Sequence, residues 1–173
     1  IASDLGLSIP NIDDTRSRRS YNRYILEYKS VIFESNDAVQ TAVLLETSFA
    51  EVSFPTVLLP VHSYIGDMMV KEAPYELEKY LLDPFEMKVQ GLDRTLADKI
   101  FAICDYYMQD KVKKHSRHIY DIYKLLQIVS LTEEFKSLVK EVREVRALTS
   151  ICPSAQMDVN VPEMLLYIVE NDV

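Results

Sequence analysis

The sequence predicts an α+β fold, in which antiparallel strands come first and a bundle of helices follows. Two patterns support this prediction: side chains alternate with a period of two after residue 20, and apolar side chains recur at helical spacing after residue 93. A hydrophobic content of 48% and a charged content of 27% are ordinary for a globular protein. We expect two domains, residues 1–88 with the strands and residues 89–173 with the long helices.

Two strands are predicted first, and a third extended run follows them. Tyr21–Phe33 alternates, Val39–Phe49 is rich in β-branched residues, and Glu34–Asp37 supplies turn residues between them. The third run, Val52–Val61, contains two prolines, which suits an edge strand. These runs predict an antiparallel meander of two or three strands.

The rest of the chain is predicted to be mainly helical. Ile65–Val70 and Pro74–Leu82 are short helices in this prediction, and Phe85–Gln90 is one more short strand. Longer helices are predicted at Arg94–Met108 capped by Thr95, Ser116–Ile128 capped by Ser116, Phe135–Val145, and Val161–Glu170 with Pro162 in its first turn.

Composition excludes several classes of function. A net charge of -8 argues against binding nucleic acid over the whole surface, although it is compatible with a local basic pocket. The three glycines are isolated, so neither a Walker loop nor a dinucleotide-binding loop is present. No apolar run approaches the roughly eighteen residues of a membrane span. Two cysteines and the lack of a basic, then apolar leader predict a cytoplasmic protein.

The beginning of the chain suggests a longer protein. Ile1–Leu5 is predicted to be the last turn of a helix that Gly6 ends, and the polar stretch Asn11–Arg19 is predicted to be a loop. Because the first residue is not methionine, we expect the chain to be the central and C-terminal part of that protein.

Three clusters are candidates for chemistry. Lys99 lies on an otherwise apolar helix, either as a lysine that extends past the core to solvent or as a phosphate-binding cation. His118 and Asp121 share one stripe of a helix, which suits metal binding or orientation of a nucleophile but is also typical of a helix start. Glu46, within an apolar strand, either points outward or offers an oxygen ligand to a divalent cation.

Other candidates are weaker. The spacing of Cys104, His115 and His118 is not that of a usual zinc site. Cys152 has no histidine at a spacing that would indicate a thiol nucleophile. Arg18 lies in a cationic loop that could contact phosphates, although solvated loop charge explains it as well.

The run Val89–Ala102, followed by Ser116–Leu126, resembles the AbiEii/AbiGii toxin family. The resemblance extends through Asp13–Arg19, Leu45–Ser48 and Ser154–Gln156, and thus covers most of the chain. Members of this family are nucleotidyltransferases with a DNA-polymerase-beta-like core, found in abortive-infection and related toxin–antitoxin systems. The resemblance implies that residues 1–88 are the remainder of such a core.

The resemblance also implies a catalytic set of Lys99, Asp121 and Glu46. Lys99 would neutralise phosphate charge, and Asp121 would support the lysine or position the acceptor. Glu46 would be the third carboxylate and a ligand of Mg²⁺. The substrate-binding residues would be Arg117, His118 and Arg18.

The chain departs from the family pattern at several points. Many members have an acid where this chain has His118, and a lysine where it has Leu44. The Gly-Ser turn and the Asp-x-Asp pair that hold the metal are absent from the chain, and we expect them upstream of Ile1.

The resemblance therefore implies a nucleotidyltransferase that moves a nucleotide from a nucleoside triphosphate to an acceptor, with RNA as one candidate acceptor. It implies Mg²⁺ as cofactor, a cognate antitoxin as a partner, and little activity from this chain alone. The alternative is a non-catalytic domain whose acidic helical bundle binds a protein partner.

Overall fold

The computed structural model describes residues 2–15, 21–31, 40–48, 55–111 and 115–171. The chain divides into two compact units, Ile1–Ser53 and Phe54–Val173. Mixed helices and antiparallel strands confirm the predicted α+β class. The predicted domain boundary between residues 88 and 89 lies inside the second unit and stays a prediction.

The first unit contains one antiparallel strand pair. Strand β1 (Tyr21–Glu27) pairs with β2 (Ala42–Ser48), so the first two predicted strands are confirmed, with shorter bounds. The predicted turn Glu34–Asp37 lies outside the described residues. None of the residues described in this unit is buried.

Two short 3₁₀ turns precede β1. They span Ser3–Leu5 and Ile12–Asp14. The first ends at Gly6, whose φ of 67° is the left-handed conformation that glycine adopts without a steric penalty. Gly6 therefore ends the first turn, as predicted.

The second unit begins with another antiparallel pair. Strand β3 (Thr56–Val61) pairs with β4 (Phe85–Gln90), and helices α1 (Tyr64–Glu72) and α2 (Glu76–Tyr80) connect them. Pro60 lies inside β3 opposite Glu86, which a two-stranded sheet tolerates because each strand has an outer edge.

Of the predicted alternatives, a meander of two or three strands, the described residues show the one with two strands. The third predicted strand does not continue the first two in the described residues, because the helical connection brings β4 back alongside it. The strand β4 itself has the predicted bounds.

Four longer helices complete the second unit: α3 (Leu92–Met108), α4 (His115–Leu125), α5 (Glu133–Ala147) and α6 (Val161–Glu170). The bounds of α6 agree with the prediction, and Pro162 lies in its first turn. None of the helices in the described part of the chain is long and apolar enough to span a bilayer.

The predicted cap of α3 is wrong, and α4 is described from one residue earlier than predicted. Helix α3 starts after Gly91, and the Thr95 hydroxyl donates a hydrogen bond to the Gly91 carbonyl oxygen at 2.9 Å instead of capping. Ser116 lies within α4, which is described from His115 onward. In both cases the apolar spacing indicated the helix but not its first residue.

The hydrophobic core lies among the helices of the second unit. Helix α3 contributes Ala97, Phe101 and Cys104, which pack with Val142 of α5 and Ile168 of α6. Helix α3 contacts α4, α5, α6 and the 3₁₀ turn Pro153–Ala155. It is therefore the central helix, and the side chains on its surface are held on a packed scaffold.

Candidate functional site

The contact between α3 and α4 brings three of the predicted site residues together. Lys99 Nζ of α3 lies 2.7 Å from Asp121 Oδ2 and 3.2 Å from His118 Nδ1, both on α4. His118 and Asp121 are one helical turn apart, with Nδ1 and Oδ2 separated by 3.9 Å. We call these three side chains the lysine cluster.

The lysine cluster is half-buried. The side chain of Lys99 is 26% exposed and that of Asp121 is 32% exposed. The hydrogen bond from the Lys99 ammonium is the largest of the effects that lower the pKa of the Asp121 carboxyl; desolvation opposes it, and the charges of Lys99 and Arg117 add to it. Asp121 is therefore a carboxylate at neutral pH, and the lysine charge has a fixed partner.

This geometry bears on the two interpretations of Lys99. A lysine that only extends past the core needs no acceptor, whereas Lys99 donates to a carboxylate and contacts an imidazole nitrogen on a neighbouring helix. A cation held this way and still partly exposed suits an anionic ligand.

Helix α3 also carries an ionic network that was not predicted from the sequence. Arg146 of α5 donates to Asp98 at 3.3 Å and to Asp105 at 2.7 Å, two carboxylates of α3. Arg94, which is 2% exposed, also donates to Asp98, at 3.1 Å. The signal that could have found this network is the seven-residue spacing of Asp98 and Asp105, which places both on one helix face.

The buried end of this network is Asp105. Its Oδ1 accepts hydrogen bonds from the backbone N–H and the hydroxyl of Ser154, at 2.9 and 2.7 Å. The Ser154 hydroxyl also lies 3.2 Å from the Phe101 carbonyl oxygen. Asp105 therefore ties the central helix to both α5 and the Pro153–Ala155 turn.

Glu46 lies in the first unit, on β2, with an exposed side chain. Its Oε1 accepts a hydrogen bond from the Tyr21 hydroxyl at 2.5 Å and lies 3.9 Å from Arg23 Nε. The hydrogen bond to Glu46 is the main reason why the pKa of Tyr21 is raised. The side chain of Glu46 thus points outward, which is one of the two alternatives that the sequence left open.

Two other residues were predicted to bind substrate, Arg117 and Arg18, and the structure describes only the first of them. Arg117 is exposed on α4, next to His118. Arg18 lies outside the described residues.

Glu46 is the residue of this chain that is expected to bind Mg²⁺. No group of three histidine, cysteine, aspartate or glutamate side chains that could hold a metal ion occurs among the described residues. Glu46 offers one carboxylate, which already has a phenol and a guanidinium as partners. The part of the chain that is described thus does not form a metal site by itself.

Comparison with known protein families identifies a match. A family model described as "Nucleotidyl transferase AbiEii toxin, Type IV TA system" matches residues 2–166. No curated protein and no solved structure matches the chain. Because the family model covers almost the whole sequence, including the lysine cluster, the chain belongs to the AbiEii nucleotidyltransferase toxin family.

Proposed function

We propose that the protein transfers a nucleotide from a nucleoside triphosphate to an acceptor hydroxyl, and that the lysine cluster binds the triphosphate. The observation that supports this most is the Lys99–Asp121 ion pair of 2.7 Å, which joins two packed helices and leaves both side chains partly exposed. RNA is the acceptor class that we propose. We also propose a cognate antitoxin as partner and the cytoplasm as location, and membership of a toxin–antitoxin family supports both.

In the proposed reaction, the acceptor oxygen attacks the α-phosphorus in line and pyrophosphate leaves. Lys99 contributes a positive charge against the triphosphate oxygens, and its position is set before the substrate arrives. Asp121 holds the ammonium and is thus the residue that supports the lysine. Glu46 is proposed as a catalytic carboxylate, and its role as one ligand of Mg²⁺ stays a prediction.

The charge around the lysine cluster agrees with an anionic ligand. The protein has a net charge of -8, so triphosphate binding depends on a local excess of positive charge. Arg117 adds to that charge, because it is exposed on α4 and helps to lower the pKa of Asp121. We propose Arg117 and Arg18 as further phosphate contacts.

Calorimetric titration of the intact native protein with magnesium–ATP and the other triphosphates tests the proposal. We expect Lys99→Met to weaken triphosphate binding by about tenfold or more, because a charge-assisted contact is lost. The matched control is Lys136→Met, which removes an exposed lysine paired with Glu133 on α5. Equal affinities of wild type, Lys99→Met and the control would refute the assigned role.

The alternative function is a protein-binding domain. It is favoured by apolar side chains that lie exposed on β3 and β4, namely Val57, Leu58, Leu59, Phe85 and Met87. Failure of the wild-type protein to bind any triphosphate would favour this alternative.

A further inference from the structure

His118 has a surrounding that does not suit a side chain which contacts substrate. It is 7% exposed, and its ring stacks on Tyr106 of α3 with centroids 5.4 Å apart and planes inclined by 27°. Its Nδ1 faces the Lys99 ammonium at 3.2 Å. The ring is thus fixed between an aromatic face and the lysine cluster.

The chemistry of the contact determines the tautomer. An ammonium group has three N–H donors and no acceptor, so His118 Nδ1 must accept the hydrogen bond from Lys99. A neutral imidazole that accepts at Nδ1 carries its proton on Nε2. Among the described residues, His118 and Asp121 then take two of the three donors of Lys99, and the third is left for a ligand.

We propose that His118 is a positioning residue, which holds the Lys99 ammonium in place beside Asp121 by accepting its hydrogen bond at Nδ1. This role rests on the proposed triphosphate site, and it differs from the direct substrate contact implied by the family resemblance. The Lys99 ammonium has two acceptors, at 2.7 and 3.2 Å, so it is not free to rotate around a single hydrogen bond to the carboxylate. The N–H that makes neither of these hydrogen bonds therefore points in one fixed direction.

The proposal predicts different effects for two substitutions of His118 that are similar in size. His118→Asn places an amide oxygen near the position of Nδ1 and keeps the acceptor, whereas His118→Leu keeps the bulk and removes it. We expect His118→Leu to weaken triphosphate binding about tenfold and His118→Asn to retain binding within about threefold. The control is His62→Leu, which removes an imidazole paired with Asp67 outside the lysine cluster.

A readout that does not depend on triphosphate comes from nuclear magnetic resonance of the ligand-free protein. We expect the ¹⁵N shifts of His118 to show a bare Nδ1 and a protonated Nε2. The Nζ resonance of Lys99 should shift in His118→Leu and stay near its wild-type position in His118→Asn. A merely structural imidazole would not move the lysine resonance selectively.

Two outcomes would overturn the positioning role. They are a proton on His118 Nδ1, or a His118→Leu variant with the wild-type lysine resonance and wild-type affinity. If the wild type binds no triphosphate while the lysine resonance still responds to His118→Leu, the nucleotidyltransferase proposal is refuted and the positioning role is supported.

Discussion

Asp121 couples the lysine cluster to pH. Its pKa is lowered chiefly by the hydrogen bond from Lys99, so the ion pair adds stability at pH values above the ordinary aspartate pKa. That stability is lost as the pH falls through the lowered pKa of the folded state, where Asp121 takes up a proton. Protonation of Asp121 therefore makes the ion pair sensitive to acid.

Replacing Lys99 should remove most of the lowering of the Asp121 pKa. We expect Lys99→Met to raise the pKa of Asp121, because its main hydrogen-bond donor is gone. The ¹³C carboxyl shift of Asp121 against pH measures this directly. Unfolding free energies should also differ most between wild type and Lys99→Met at neutral pH and converge in acid. An Asp121 titration curve that is the same in both proteins would contradict the prediction.

At the scale of the elements, Arg146 of α5 links that helix to α3 through hydrogen bonds to two carboxylates. Its guanidinium bridges two carboxylates of α3, and it lies over the Phe101 ring with Cζ 5.7 Å from the centroid. Because Asp98 directly precedes Lys99, the same bridge fixes the helix turn that presents the lysine.

Asp105→Asn tests this bridge. The amide keeps an acceptor for Ser154 but faces Arg146 without a negative charge, which leaves a half-buried cation poorly compensated. We expect a loss of about 3 kcal/mol in the free energy of unfolding, measured by urea denaturation. The control, Glu144→Gln at an exposed position of α5, should change it by less than about 0.5 kcal/mol. Equal stabilities of the two variants would show that the buried carboxylate is dispensable.

At the scale of the whole molecule, stability is distributed unequally. The buried core lies in the second unit, and the residues described in the first unit include none that is buried. A single strand pair without a buried face is only marginally stable. The two units therefore differ in how tightly their backbone hydrogen bonds are held.

Hydrogen exchange of the intact protein should reveal this difference. We expect backbone amides of α3 to exchange slowest, because they open only when the core opens, and amides of β1 and β2 to exchange at least about tenfold faster. Mass spectrometry of exchanged peptides, with α6 as an internal reference for the core, measures it. Equal protection in β1 and α3 would contradict the prediction.

The sequence predicts elements best where their signals are local. Helix α6 agrees at both ends because Pro162 and an apolar stripe mark it, and β4 lies between Pro84 and Gly91. Strand partners are set by distant segments instead, so the pairing of β3 with β4 was not predicted.

The candidate site shows the same limit. Lys99 and Asp121 are 22 positions apart, and only the family resemblance suggested that they act together. The inward direction of Arg146 could not be predicted, because the charges of α5 all fit a solvated face and only the packing decides which of them is enclosed. His118 was predicted to bind substrate, and the sequence does not show that its ring stacks on Tyr106.

Cys104 gives the protein an intrinsic chemical reporter. Its side chain is fully enclosed by the core, and desolvation above all raises the pKa of its thiol to about 12. At neutral pH an alkylating reagent meets neither an accessible sulfur nor a reactive thiolate. Cys104 can therefore be modified only after α3 separates from its neighbours. The rate of its modification would measure how often the core opens, without any introduced label.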